Sequence, residues 1–259
     1  VPFIQLQPVE IAKLAVIVLL AAFIYKKNRY SKSIKFTIYC WIVGMIPALL
    51  TLKVSSDLSS ALVIMAITFG LTFIFNRTKK MHMVVLLTTV GLIAGYILHI
   101  KSNLPDPAHI DDYSYRIARI VAWLYPDRYS DAAYQSQTAL YSIGSGGFWG
   151  VGLGRMYVNI PEGQTDFIFV LLTHQLGIFG GICLILCYVY LLFQILKIAL
   201  NACSLYETIL VIGILIHIAT QVVVNMGVCT SLLPNTGLPL VLICLLYTSP
   251  SPRDRSVSR

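Results

Sequence analysis

Residues 160–200 read IPEGQTDFIFVLLTHQLGIFGGICLILCYVYLLFQILKIAL. A polar, turn-forming stretch runs straight into the apolar run Phe167–Leu196. That run exceeds the about 20 residues a helix needs to cross the hydrocarbon core of a bilayer. Its length predicts a tilted span, or one that begins in an interfacial segment. Thr165 and Asp166 stand where a helix N-cap belongs. Asp166 therefore has two readings, a helix cap or a functional carboxylate at the membrane–water boundary, and position alone does not separate them.

Working outward, further apolar runs occupy Ile11–Tyr25, Phe36–Leu52, Leu58–Phe75, Met83–Ile100 and Thr208–Met226, with a short run Leu238–Leu246. The expected fold is all-α, a polytopic helical membrane protein with six spans and part of a seventh. Composition agrees. Of 259 residues, 57% are hydrophobic and 12% charged, where a soluble domain carries about 25% charge. Mean hydropathy is +0.78. A disordered chain, a fibrous repeat and an ordinary soluble enzyme are excluded.

The net charge of +8 comes from loops and not from a nucleic-acid surface. Lys26, Lys27, Arg29, Lys32 and Lys35 crowd one loop, and Arg77, Lys79 and Lys80 another, with no acid in either. The positive-inside bias places both in the cytoplasm. They lie two spans apart, so the two signals agree. The chain then starts outside, and the long segment 101–166 is outside as well. That segment holds seven of the eleven acids against five Lys and Arg, a net −2.

A connection of this length is expected to contain elements of its own. Ile117, Ile120, Val121 and Leu124 follow helical spacing and predict a short amphipathic helix ending at Pro126, with Trp123 and Tyr125 at headgroup level. Arg116 and Arg119 on it would face phosphate, or else snorkel from an interfacial helix. The glycine-rich stretch 144–154 lacks the strand and the Lys-Ser/Thr of a nucleotide loop, so its glycines serve tight turns or close backbone approach.

Ionisable residues at span ends usually mark a site. Glu10 and Lys13, three apart, share a helix face, and their bland reading is a local ion pair. Asp57 precedes the third span, where an N-cap belongs. Glu10, Lys13, Asp57, Glu162 and Asp166 all fall on the outer side with Arg116 and Arg119. Carboxylates and cations at headgroup depth suit a substrate with a phosphate and a polar head on a lipid tail. His82 reads as part of a basic loop, and His99, His174 and His217 as scattered. The six Cys show no metal-ligand spacing, and no metal site is expected.

Five motifs, in order, resemble those of the SEDS family, the bacterial shape, elongation, division and sporulation proteins grouped as FtsW, RodA and SpoVE. Gln7-Pro-Val-Glu-Ile-Ala-Lys13 resembles QPSE..K. Residues 56–62, SDLSSAL, resemble PDLGTAL. Residues 143–154, IGSGGFWGVGLG, resemble IGSGGLFGKGLG. Residues 160–169, IPEGQTDFIF, resemble LPEAHTDFIF, and residues 232–239, LLPNTGLP, resemble LLPVTGIP. The family's GEELG appears as Thr173-His-Gln-Leu-Gly177, without its two acids. Its SYGGS is missing, and residues 247–259 resemble translated adaptor or vector sequence.

The resemblance implies a ten-span bundle, of which residues 1–246 would supply the fourth span to part of the tenth. A chain of that extent is expected to be inactive alone. The resemblance further implies an inverting glycosyltransferase that polymerises lipid II at the outer face of the bacterial plasma membrane, beside a class B penicillin-binding protein. Asp166 matches the family's essential Asp and would be the general base. Lys13, Arg116 and Arg119 would meet the pyrophosphate, and Glu10, Asp57 and Glu162 would shape the cavity. A divalent cation, Mg or Mn, could assist. A lipid II flippase and a generic transporter stand as alternatives.

Overall fold

The computed structural model describes residues 8–27, 33–54, 57–76, 78–107, 115–154, 163 and 165–243. Eight helices occur among them. They are α1 (Pro8–Lys26), α2 (Ile34–Val54), α3 (Leu58–Phe75), α4 (Lys79–Ser102), α5 (Tyr115–Leu124), α6 (Ser130–Gly146), α7 (Ile168–Leu200) and α8 (Leu205–Cys229). Six of these, all but α5 and α6, are long and apolar enough to cross a membrane. The chain is a polytopic helical membrane protein.

One compact unit comprises Gln7–Tyr113 and Tyr190–Thr220. Here α1, α2 and α3 pack together around Val16, Ile17, Leu20, Ile64, Ile67 and Leu71. Small residues allow the close approach that membrane helices need. A Cβ on Gly44 would stand 2.1 Å from Thr68 Oγ1, and one on Gly213 would stand 2.5 Å from Ile17. Asp57 caps α3, its Oδ1 accepting from Ser60 N at 3.1 Å. Glu207 accepts from the amides of Cys203 and Ser204 while its own amide donates to Ser204 Oγ, a capping box that starts α8. His82 departs from its sequence reading. It is fully buried among Trp41, Phe69 and Phe73, the two Phe ring centroids each 5.9 Å away.

The other unit comprises Ser114–Val189 and Gln221–Arg259, with Val1–Leu6. The amphipathic helix forms as α5, ending at Leu124 before Pro126. The long run breaks at Gly177, whose φ of 73° and ψ of −177° are not helical. A short arm, 168–176, therefore precedes the rest of α7. The glycine-rich stretch lies against this break. Val151 N and Gly152 N donate to the carbonyls of His174 and Gln175, and Ile178 N and Phe179 N donate to those of Gly147 and Phe148. A Cβ on Gly150 would stand 2.2 Å from Gln175 O, and one on Gly177 would stand 2.1 Å from Phe148 O. These glycines are there for close backbone approach.

The seventh run is not helical over its described part. Residues 234–240 carry no helix and 241–243 form a turn. Pro234 and Pro239 cannot sustain helical hydrogen bonding, and Gly237 takes a left-handed φ of 68°.

Candidate functional site

Within the second unit, Asp166 stands two residues before α7. Phe167, Ile168, Phe169 and Val170 are all buried, so the chain behind Asp166 cannot slide. Its carbonyl accepts from Asn225 Nδ2 at 2.7 Å and lies 3.7 Å from Cys229 Sγ. Asn225 and Cys229 are one turn apart on α8, and both are buried. The Asp166 side chain itself is half-buried.

The loop after α8 supplies the opposite wall. Ser231, with φ 54°, ends the helix in a left-handed cap, and Leu233 N donates back to Gly227 O. Side chains from four helices then hold the loop. Trp123 Nε1 of α5 donates to Ser231 O at 2.9 Å, and Arg119 Nη1 of α5 donates to Asn235 O at 3.1 Å. Asn235 Nδ2 donates to Gln135 Oε1 of α6 at 2.7 Å, and Asn225 Nδ2 of α8 donates to Leu238 O at 2.7 Å. Tyr188 of α7 donates its hydroxyl to Val241 O. Trp123 is thus a tie to this loop, where the sequence reading makes it a headgroup anchor.

Gly237 sits at the centre. A Cβ built on it would stand 3.5 Å from Asp166 Oδ2 and 3.8 Å from Arg119 Nη1. A carboxylate oxygen and a guanidinium nitrogen therefore both lie near one point that carries no side chain. A carboxylate can accept a proton from a hydroxyl, and a guanidinium can offer charge-assisted hydrogen bonds to an anion.

The sequence-predicted residues separate as follows. Asp166 and Arg119 come together at Gly237. Arg116, one turn earlier on α5, is exposed. Glu10 and Lys13 belong to the first unit, where Lys13 Nζ lies 2.7 Å from Glu10 Oε1 and Lys13 is fully buried. His217, also of that unit, is more than a scattered histidine. It is buried, and among the described residues its Nδ1 has no hydrogen-bond partner. Asp57 is the α3 cap. Glu162 lies outside the described residues, as do Gln7 and residues 247–259. Among the described residues, no three His, Cys, Asp or Glu gather to hold a metal ion.

Asn225 is a residue whose role the sequence reading passes over. Its signal is an amide inside the apolar run Val222-Val-Val-Asn-Met-Gly-Val228, where an unsatisfied polar group is costly. His174, where the family motif has an acid, is buried, with Nδ1 2.9 Å from Ser142 O. Its place is in the scaffold under the glycine-rich loop.

Residues 1–245 match the family model FtsW/RodA/SpoVE, described as "Cell cycle protein". The chain is 33% identical over 240 residues to Stage V sporulation protein E of Bacillus subtilis, covering 91% of this chain and 62% of that protein. It is 31% identical over 253 residues to the probable peptidoglycan glycosyltransferase FtsW of Tolumonas auensis, covering 93% and 61%. It thus spans about three fifths of the length of these relatives. A solved chain, from work on the structural coordination of polymerization and crosslinking by a peptidoglycan synthase complex, superposes with a TM-score of 0.72. That match has 25% identity and covers 96% of this chain and 68% of that one.

Proposed function

The chain belongs to the FtsW/RodA/SpoVE family, that is, to the SEDS proteins, and on that premise we propose that it is the catalytic membrane part of a peptidoglycan glycosyltransferase. The substrate is lipid II, a disaccharide-pentapeptide on a polyprenyl pyrophosphate, and the product is the glycan strand. The observation that carries this reading is that the carboxylate of Asp166 and the guanidinium of Arg119 both lie beside Gly237.

The chemistry follows from that pair. Asp166 accepts the proton of the acceptor sugar's 4-hydroxyl, which must come within hydrogen-bond reach of Oδ2. The hydroxyl oxygen forms a bond to the donor's anomeric carbon as that carbon's bond to the phosphate oxygen breaks. The electron pair leaves with the lipid pyrophosphate. One base and no covalent intermediate give inversion, from an α-linked donor to a β-linked glycan. Charge grows on the pyrophosphate, and fixed cations stabilise it there. Arg119 lies beside Gly237, as the base does. Arg116 and Lys13 are further candidates, Lys13 with Glu10 as its counter-ion. The carboxylate of Asp57 is engaged by Ser60, so its part is to orient α3. A divalent cation on the substrate's pyrophosphate would neutralise part of that charge.

The membrane proteins of this family need a headgroup-level site to reach a lipid-linked substrate. The acid-rich segment 101–166 and the basic loops on the opposite side of the spans support an extracytoplasmic site in a bacterial plasma membrane. The partner is a class B penicillin-binding protein.

The test is polymerisation of fluorescent lipid II by the full-length protein reconstituted with that partner. Replacing Asp166 with Ala removes glycan synthesis. Replacing Arg119 with Ala lowers kcat by about 10²–10³-fold, the usual cost of removing one charge-stabilising donor. Glycan synthesis at the parental rate by Asp166→Ala contradicts the reading and favours a transport role instead.

A further inference from the structure

Asp166 and Gly237 are far apart in sequence, and something must fix the carboxylate to the turn that faces it. One side chain touches both. Asn225 Nδ2 donates to the carbonyl of Asp166 at 2.7 Å and to the carbonyl of Leu238, beside Gly237, also at 2.7 Å. Two carbonyl acceptors at this distance require an NH2 group, which fixes the orientation of the amide. Each of its two hydrogens meets one acceptor. The remaining amide oxygen lies 3.7 Å from Cys229 Sγ. Asn225 is 1% exposed, so water does not replace these bonds when they are lost.

The same turn carries Asn235, whose carbonyl holds Arg119. The bridge through Asn225 therefore links the backbone that bears the carboxylate to the loop that orients the guanidinium. Ser has one donor and a shorter reach. An ionised Asp has none and would set a charge against two carbonyl oxygens. Only a primary amide of this length meets both.

We propose that Asn225 is the positioning residue that sets the separation between the Asp166 carboxylate and the Arg119 guanidinium. The assignment rests on the reading of Asp166 as the base. Asn225 touches neither substrate nor the reacting atoms. Its loss acts through displacement of Asp166, and small displacements of reacting groups cost about 10²-fold in rate.

The experiment uses the full-length protein with its class B partner in proteoliposomes and measures kcat, KM for lipid II and the pH dependence of kcat. Asn225→Ala lowers kcat by between ten- and a hundredfold and leaves KM within about threefold, because uniform substrate binding is untouched. Its acid limb moves to higher pH. A carboxylate that drifts from Arg119 loses the cation that favours its charged form, and its pKa rises. Asn225→Asp is equally slow at neutral pH. Relative to the parent it recovers as pH falls, because a protonated Asp donates one hydrogen bond again.

A parental kcat in Asn225→Ala overturns the proposal, as does a kcat loss that matches the loss of folded protein with an unmoved acid limb. Should Asn225→Ala fail to fold, the near-isosteric Asn225→Asp carries the test, and a pH-independent ratio to the parent overturns it. Asp166→Asn run alongside separates the two readings. Retained activity there removes the base assignment. An inactive Asp166→Asn beside a fully active Asn225→Ala removes the clamp alone.

Discussion

Gly237 has φ 68° and no side chain at the point where Asp166 and Arg119 meet. Both properties matter. The left-handed backbone disfavours any Cβ by roughly 1–2 kcal/mol, and on the proposed mechanism a substrate hydroxyl enters beside it. Gly237→Ala should therefore lower the thermal midpoint modestly and kcat with it. Gly237→Val, whose branches crowd the Asp166 and Arg119 side chains, should abolish polymerisation while lipid II affinity at other contacts persists. A parental kcat for Gly237→Val would show that the reacting hydroxyl does not use this gap. At this scale the sequence was readable wherever a residue acts on close neighbours. The Glu10–Lys13 pair and the Asp57 cap both follow from spacing of three. It was unreadable where partners come from distant segments. Arg116 and Arg119 look alike on α5, yet only the fold directs Arg119 onto Asn235 O. Asn225 showed only as a polar residue in an apolar run.

Elements follow the same division. The apolar run Leu58–Phe75 and helix α3 coincide end to end, because Asp57 stops the chain and the span's length is set by the bilayer. Helix α5 is visible from its apolar spacing. Helix α6 is not, because its buried residues are Ala133, Ala139, Ser142 and Gly146, which are too small to leave a hydrophobic period. The run beginning at Leu238 misled, since composition alone outweighed Pro234, Gly237 and Pro239 in that reading. The break at Gly177 gives a test of how the glycine-rich loop is held. Gly177→Ala forces a Cβ to within 2.1 Å of Phe148 O and adds about 1–2 kcal/mol of backbone cost. It should lower the thermal midpoint by several degrees and slow polymerisation, because the loop and the arm that bears Asp166 share this joint. Gly95→Ala on α4 meets nothing within 4 Å and removes a helix-interior glycine worth up to about 1 kcal/mol. It should leave the midpoint unchanged or raised. Equal effects from the two would contradict a packing role for Gly177.

For the whole molecule, the positive total charge conceals an acidic segment, and the account assigns that segment to the outer face. A cysteine at Ala132, exposed on α6, should react with an impermeant maleimide in intact cells. A cysteine at Lys80, exposed at the start of α4, should react only after lysis. The reverse pattern would invert the orientation and move the site away from the compartment where glycan is made. The class of fold, the number of long spans and the family were legible in the sequence because hydrophobic length and five motifs in order carry them. The meeting of Asp166 with Arg119 was not, because helix neighbours in a bundle are set by tertiary packing. The most direct test of that meeting is lipid II polymerisation by Asp166→Asn in the full-length protein with its partner, measured together with lipid II binding. The substitution keeps size and removes the base. The account predicts loss of glycan product with binding retained within a few fold, and glycan formed at the parental rate would contradict it.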